Sequence, residues 1–250
     1  MAMAYRLLLI DFFNTLVLLQ PSRLPRAMIN GKPKVTTAGL IANALGEKCL
    51  SAVDVHQAME QASGEVRKMY GEDFKEVPAS VRFQKIIAVL GVNDPDGSIS
   101  EEMMKLHMQA VAKSYTLPEA HKRTLEILGK YYQIGLLSNC DYSGLVRESL
   151  AENGLEERFH PLMISEEIGF RKPGRKAFQM AVDAAGLSVE QVLFVGDSLE
   201  DDVEGAQQAG MPVAWVNPKK EPGVSCRKPN FQIQGLPDLP GILDVKSPST

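Results

Sequence analysis

Acidic residues stand at two places in the chain where their charge needs a partner. Asp11 follows directly on the apolar run of residues 5–10, where a carboxylate is costly unless a metal, hydrogen bonds or a nearby cation compensate for its burial. Four more carboxylates lie within six residues after a second apolar run: Asp197, Glu200, Asp201 and Asp202. Mutual repulsion disfavours such a density without a cation, and carboxylate oxygens suit Mg²⁺. Capping of the next turn or helix is the simpler alternative, above all for Glu200 and Asp201.

Other polar residues follow apolar runs in the same way. Ser138 and Asn139 come after residues 133–137, and Cys140 lies beside them, although a lone cysteine is more often a small buried hydrophobe. Lys172 precedes Pro173 in the segment GFRKPGRKAF, at the expected start of a helix. The four histidines form no metal-ligand spacing, so we interpret them as surface or core residues.

The elements that must position these residues alternate between strands and helices. Continuous apolar runs predict buried parallel strands over residues 5–10, 133–137, 161–164, 192–195 and 212–216. Helical patterns lie between them, over residues 118–130, 142–153, 175–185 and 202–209. This order predicts a doubly wound α/β fold. Ligands of such sheets bind beyond the carboxyl ends of the strands, so we expect Asp11, Ser138, Asn139, Lys172 and Asp197 in one cleft.

Residues 20–116 interrupt that alternation. They contain amphipathic helical stretches around 37–46, 52–70, 79–90 and 100–114 and no run typical of a buried strand. We therefore predict a helical domain over residues 20–116, inserted into an α/β core formed by residues 1–19 and 117–250. The segment NGKPKVTT, residues 30–37, is interpreted as a solvated loop. A last short strand and a short helix are expected near the C-terminus.

Composition excludes several classes of protein. With 27 Lys+Arg against 31 Asp+Glu, a net charge of −4 and 44% hydrophobic residues, the 250-residue chain is neither collagen-like nor disordered. Interspersed charge predicts no nucleic-acid or membrane partner. The three cysteines show no metal or disulfide spacing, and we find neither a signal pattern nor a long apolar run. A cytoplasmic protein, monomeric or homodimeric, is expected.

The segments IDFFNTL, LLSN, GFRKPGRKAF and FVGDSLEDDVEGAQQAG together resemble the motifs of the haloacid dehalogenase-like (HAD) hydrolase superfamily, in order and spacing. The resemblance covers nearly the whole chain outside the insertion. It implies a Rossmann-like doubly wound parallel sheet with an inserted α-helical cap domain. It also implies a nucleophilic aspartate that usually attacks phosphorus with Mg²⁺ bound.

The same resemblance implies a role for each matching residue. Asp11 would be the nucleophile, and Lys172 would neutralise the charge of the nucleophile and of the phosphoryl group. Asp197 would bind Mg²⁺ together with Asp11 and the backbone carbonyl of Phe13, while Asp202 would steady Lys172 or a metal-bound water. The residues expected to contact the substrate are Phe13, Asn14, Thr15, Ser138, Asn139 and Lys172.

Phe13 departs from the pattern of the phosphatases in this superfamily, which have an acid/base aspartate at this position. Phenylalanine cannot transfer a proton. Dehalogenases of the superfamily typically have an aromatic residue there and need no metal, so the retained Asp197 and Asp202 favour phosphoryl chemistry. The sequence thus predicts a Mg²⁺-dependent phosphatase acting on a small phosphorylated metabolite. A 2-haloacid dehalogenase and a catalytically impaired binding protein remain alternatives.

Overall fold

The apolar runs that the sequence predicts as strands form one six-stranded sheet in the computed structural model, which describes residues 5–46, 50–220 and 228–245. Cys49 and Cys226 lie outside the described residues, and Cys140 is buried. The strands are β1 (Leu7–Ile10), β2 (Leu18–Leu19), β3 (Arg26–Ile29), β4 (Lys32–Val35), β5 (Tyr115–Thr116), β6 (Gln133–Ser138), β7 (Leu162–Ile164), β8 (Val192–Gly196), β9 (Val213–Val216) and β10 (Phe231–Ile233). The helices are α1 (Ala38–Leu45), α2 (Ala52–Met69), α3 (Ala79–Val89), α4 (Ser98–Ala112), α5 (Glu119–Leu128), α6 (Ser143–Glu152), α7 (Ser165–Ile168), α8 (Arg175–Ala185), α9 (Gly205–Gln208) and α10 (Leu239–Ile242).

The large sheet has the strand order β10-β9-β8-β1-β6-β7 and is parallel throughout. All four residues of β1 are buried, as expected of a strand covered on both faces. Phe178 of α8 and Phe194 of β8 belong to one core cluster, and their rings meet edge to face with centroids 5.2 Å apart. The predicted α/β fold with a parallel sheet is confirmed.

The chain divides into two compact units. Unit 1 takes residues up to Leu19 and from Thr116 onward, and it contains the large sheet. Unit 2 is Gln20–Tyr115, in which α1 to α4 pack on one another. A role of unit 2 as a cap stays a prediction.

Unit 2 also contains a β-hairpin, so the interpretation of residues 30–37 as a loop is wrong for residues 32–35, which form β4. β3 and β4 pair antiparallel, with Ile29 opposite Lys32. Asn30 and Gly31 between them have φ angles of 49° and 76°. Two successive positive φ values are typical of a type I′ turn, which matches the twist of a hairpin. Every residue of β4 is exposed, so no apolar alternation marks this strand in the sequence.

The helices of unit 2 follow their amphipathic patterns. α2 begins with a capping box in which Ser51 and Asp54 each accept a hydrogen bond from the backbone of the other. Its buried face repeats at helical spacing through Val55, Ala58, Ala62 and Val66. Among the described residues, no helix is both long enough and apolar enough to cross a membrane.

Candidate active site

Asp11 lies at the centre of the large sheet, immediately beyond the end of β1. Its backbone N–H donates to the carbonyl of Val195 on β8, at 2.8 Å, which continues the strand pairing by one residue. The chain then turns sharply, because Leu16 and Val17 both donate backbone hydrogen bonds to the carbonyl of Phe12. The Asp11 side chain is only 6% exposed. Burial raises the pKa of this carboxyl above its ordinary value, Lys172 opposes that rise, and Asp202 adds to it.

The neighbouring strands bring two further polar segments to the same edge of the sheet. β6 and β8 flank β1, and all three run parallel. Ser138 ends β6, and Asp197 follows β8 directly. The carboxyl ends of parallel strands share one edge of a sheet, which is where ligands of such folds bind.

Lys172 connects two of the carboxylates. Its Nζ donates to Oδ1 of Asp11 and to Oδ1 of Asp202, each at 2.6 Å. The lysine is 1% exposed. Burial by itself would lower the pKa of Lys172, but the carboxylates of Asp11 and Asp202 outweigh that effect and raise it. The ammonium group is therefore charged at neutral pH and pairs with both carboxylates.

Asp202 is held from its other side by the backbone. Its Oδ2 accepts a hydrogen bond from the N–H of Ser198 at 2.9 Å. Asp202 belongs to a π-helical turn, Leu199–Glu204, in which the carbonyl of Ser198 accepts from the N–H of Val203. The wider turn directs Asp202 back over Gly196, where a Cβ atom would lie 2.7 Å from the Cβ of Asp202. Only glycine at 196 leaves room for this side chain.

The acidic side chains form a cluster that could hold a divalent cation. One carboxylate oxygen from each of Asp11, Asp197 and Asp202 lies within 4.8 Å of the others. Burial and the neighbouring Asp202 raise the pKa of Asp197 to about 6, with Lys172 opposing them. Since Lys172 is the cation bonded to the cluster, a negative charge remains that a hard cation with oxygen ligands would neutralise. The donor set therefore fits Mg²⁺.

Two buried hydroxyls nearby have unsatisfied hydrogen-bonding capacity. Thr15 and Ser138 are fully buried, and neither side-chain oxygen has a hydrogen-bond partner among the described residues. The Thr15 hydroxyl lies close enough to Asp197 to lower the pKa of that carboxyl slightly, but it makes no hydrogen bond of ordinary geometry. Buried polar atoms in folded proteins are nearly always paired, so unpaired ones beside a carboxylate are consistent with a ligand.

The remaining predicted substrate contacts have varied surroundings. Phe13 is partly exposed, and its ring meets Phe12 edge to face with centroids 4.9 Å apart. Asn14 is exposed and has a φ angle of 58°, a left-handed conformation that asparagine tolerates well. The side chain of Asn139 hydrogen-bonds to the backbone of Lys172, a partner that the sequence did not suggest. Roles for all of these residues stay predictions.

Two residues of the site were missed by sequence reasoning. The indole N–H of Trp215, on strand β9, donates to the backbone carbonyl of Asp197 at 2.9 Å. Gly196 was read only as part of a strand end. For Gly196 a signal existed, because a glycine directly before an acidic turn often marks a close approach. For Trp215 no local pattern indicates where its N–H points.

Unit 2 contains a cavity of its own, of about 550 Å³. His107 and Thr37 line it, and the Nδ1 of His107 lies 2.7 Å from the hydroxyl of Thr37. Burial lowers the pKa of His107 to about 4, with a further contribution from Arg82. His107 is therefore neutral at physiological pH.

Comparison with known proteins places the chain in a family. A family model described as haloacid dehalogenase-like hydrolase matches residues 46–216. The HAD-hydrolase YfnB of Bacillus subtilis (strain 168) is 25% identical over 178 residues, which are 71% of this chain and 74% of YfnB. The pyrimidine 5′-nucleotidase PynA of Streptococcus pneumoniae (strain ATCC BAA-255 / R6) is 26% identical over 171 residues, 68% of this chain and 70% of PynA.

Solved structures support the same fold. The 2-haloacid dehalogenase of Pseudomonas syringae pv. Tomato DC3000 aligns with a TM-score of 0.74 at 22% identity, over 96% of this chain and 98% of its own. At 22% identity, this structural similarity supports a shared fold and nothing further. The family model spans more than half of the chain and includes the segments of Ser138, Lys172, Asp197 and Asp202. This chain therefore belongs to the haloacid dehalogenase-like hydrolases.

Proposed function

We propose that this protein is a Mg²⁺-dependent phosphatase that uses Asp11 as its nucleophile on a small phosphorylated metabolite. The observation that carries the proposal is the cluster of three carboxylates, Asp11, Asp197 and Asp202, whose oxygens lie within 4.8 Å of one another around Lys172. Such a cluster repels an anionic substrate until a divalent cation neutralises it. We also propose a cytoplasmic location, supported by the cysteine usage, and a monomeric or homodimeric state.

The proposed reaction has two steps at Asp11. A carboxylate oxygen of Asp11 attacks phosphorus, a new P–O bond forms, and the bond from phosphorus to the ester oxygen breaks. Water then attacks the phosphorus of the aspartyl-phosphate, which releases phosphate and restores the carboxylate. Lys172 binds Oδ1 of Asp11 at 2.6 Å and so holds the carboxylate in place.

The surrounding residues contribute charge and hydrogen bonds. Lys172 is held charged by Asp11 and Asp202, so it can stabilise the negative charge that develops on the transferred group. The unpaired hydroxyl of Ser138 can donate to a phosphoryl oxygen. When bound by Asp11, Asp197 and the Phe13 carbonyl, Mg²⁺ would supply charge neutralisation and orient the phosphoryl group.

Phe13 limits the range of leaving groups. An alkoxide needs a proton as it departs, and a phenyl ring cannot supply one. p-Nitrophenolate leaves without protonation. We therefore expect weak turnover of p-nitrophenyl phosphate and still slower turnover of alkyl phosphates. Pyrimidine nucleoside monophosphates are the first physiological candidates to test, because the relative PynA is named for that activity.

The second candidate function, 2-haloacid dehalogenation, is favoured by Phe13 alone. In that reaction Asp11 would displace halide from carbon, a step that needs neither a general acid for the leaving group nor a metal. Dependence on Mg²⁺ separates the two reactions. A binding protein without turnover is the third possibility, and it predicts neither activity.

The decisive experiment is hydrolysis of p-nitrophenyl phosphate with and without Mg²⁺. We expect turnover that requires Mg²⁺ and is abolished in Asp11→Asn, which keeps the shape of the side chain but loses its nucleophilic oxygen. Asp183→Asn is the matched control, because Asp183 is an exposed residue of α8 whose carboxylate accepts only a helix-surface hydrogen bond from Gln179. Halide release from a 2-haloacid in the absence of phosphatase activity would instead favour dehalogenation.

A further inference from the structure

Asn139 makes an unusual pair of hydrogen bonds to the backbone of a single residue. Its Nδ2 donates to the carbonyl of Lys172 at 2.9 Å, and its Oδ1 accepts from the N–H of Lys172 at 2.8 Å. Both bonds cross from the end of β6 to the loop before α8, over a separation of 33 residues. The side-chain amide thereby fixes the peptide groups on both sides of the Lys172 Cα.

The hydrogen-bonding capacity of this amide is largely used. The second Nδ2 proton points toward Oδ2 of Asp201, at the longer distance of 3.4 Å. The assignment of oxygen and nitrogen is forced, since a flipped amide would set donor against donor and acceptor against acceptor at Lys172. The side-chain amide of Asn139 therefore has no N–H left to offer a substrate.

Lys172 needs such support because its side chain is long. Four rotatable bonds separate its backbone from the ammonium group, and ordering them costs entropy. The ammonium nevertheless meets two carboxylates at 2.6 Å each. A small rotation at the Cα would move Nζ by a much larger distance and break one of these contacts.

We propose that Asn139 is a positioning residue, which fixes the backbone of Lys172 so that its ammonium group reaches Asp11 and Asp202 together, and that it does not bind the substrate through its side chain. The catalytic part of this inference rests on the proposed function. The structural part does not, because it concerns only the mobility of Lys172.

The structural part is tested by amide hydrogen exchange, followed by NMR in ¹⁵N-labelled protein. In Asn139→Leu, which has similar volume and no hydrogen bonds, the Lys172 amide should exchange at least about tenfold faster than in the wild type. Asn139→Asp keeps the acceptor for this amide and should preserve most of its protection. Asn153→Leu is the matched control, because it removes an asparagine hydrogen bond to the carbonyl of Ser149 at the end of α6, away from Lys172. Unchanged exchange in Asn139→Leu would overturn the proposal.

The catalytic part is tested by a double-mutant cycle on p-nitrophenyl phosphate. Asn139→Leu should lower kcat about 10- to 100-fold with little change in KM, as expected for a residue that orients a catalytic group. In a Lys172→Met background the same substitution should cost less than about threefold, because the group it positions is gone. Equal losses in both backgrounds would show that Asn139 acts independently of Lys172 and would overturn the positioning role. Faster exchange of the Lys172 amide in Asn139→Leu, together with no phosphatase activity in the wild type, would leave the structural inference standing and refute the proposed function.

Discussion

Substitution of Gly196 by alanine should disrupt the site through a single atom. Gly196 ends β8, and a Cβ there would lie 2.7 Å from the Cβ of Asp202 and closer still to its carboxylate. The backbone of Gly196 does not occupy the left-handed region, so alanine introduces no conformational strain of its own. The effect therefore comes entirely from the displacement of Asp202.

The cost follows from the contacts that Asp202 would lose. Its carboxylate accepts one hydrogen bond from Lys172 at 2.6 Å and one from the Ser198 N–H at 2.9 Å. Hydrogen bonds to charged groups contribute about 1.5–3 kcal/mol each, so losing both should lower the free energy of unfolding by about 3–6 kcal/mol. Phosphatase activity should fall with it, because Lys172 loses one of its two carboxylates.

The matched control is the same substitution at a site with open space. Gly64 lies inside α2, and a Cβ there would meet nothing within 4 Å. Alanine has the higher helix propensity, so Gly64→Ala should raise the free energy of unfolding by about 0.5–1 kcal/mol. Urea denaturation of both variants measures the two effects. Wild-type stability and activity in Gly196→Ala would refute the inferred packing of Asp202 against Gly196.

The remaining predictions concern the charges around the carboxylate cluster. Lys172→Met leaves Asp11 and Asp202 buried without their cation, so the free energy of unfolding should fall by about 3–5 kcal/mol, and Mg²⁺ should recover part of the loss in urea denaturation. The pKa of Asp197 is about 6 in the folded protein, above the ordinary 3.8. Between about pH 4 and pH 6 the folded protein therefore binds a proton that the unfolded chain does not. Without Mg²⁺, the free energy of unfolding should fall as pH rises through this range. Mg²⁺ needs the ionised carboxylate and should therefore raise Tm more at pH 7 than at pH 5; an equal shift at both values would contradict this account. Trp215 is the only tryptophan of the chain and binds the Asp197 carbonyl, so its fluorescence should change saturably with Mg²⁺ in the wild type and not in Asp197→Asn.

The sequence predicts the large sheet well for a physical reason. Its strands are buried on both faces, so each appears as a continuous apolar run that ends at a polar residue, as β1 ends before Asp11. The hairpin of unit 2 gives no such signal, because β4 is exposed along its whole length and includes Pro33. Only the Asn30–Gly31 pair indicates the turn, and without flanking apolar alternation that pair is a weak predictor.

The helix predicted over residues 202–209 shows a different limit of prediction from sequence. The structure has a π-helical turn over Leu199–Glu204 followed by α9, because the carbonyl of Ser198 accepts from both Asp202 and Val203. The π turn depends on the direction of the Asp202 side chain, which is set by its contacts with Lys172 and Ser198 in the folded protein. π turns are frequent at functional sites for this reason.

Residue types at the site were predictable from the sequence, whereas the hydrogen-bond partner of Asn139 was not. Asp11, Lys172 and Asp202 follow strand ends or precede a helix, and their charges indicate mutual compensation. The two hydrogen bonds from Asn139 to Lys172 depend on the distance between two loops, which no local spacing encodes. An asparagine after a strand suggests a ligand contact equally well, so its partner becomes clear only in the folded structure.

Phe13 favours dehalogenation, and the acidic cluster favours phosphoryl transfer. The two would conflict only if they acted on the same step of the reaction. Phe13 bears on protonation of the leaving group, whereas Asp11, Asp197 and Asp202 bear on the charge of the group under attack. With Lys172 as the one cation bonded to them among the described residues, the carboxylates would repel any anionic substrate, a haloacid as much as a phosphate ester. A bound Mg²⁺ would remove that repulsion and could also bind a phosphoryl oxygen, whereas carbon-halogen cleavage needs no such contact. The cluster therefore supports the proposed phosphoryl chemistry, and Phe13 predicts which phosphate esters react quickly.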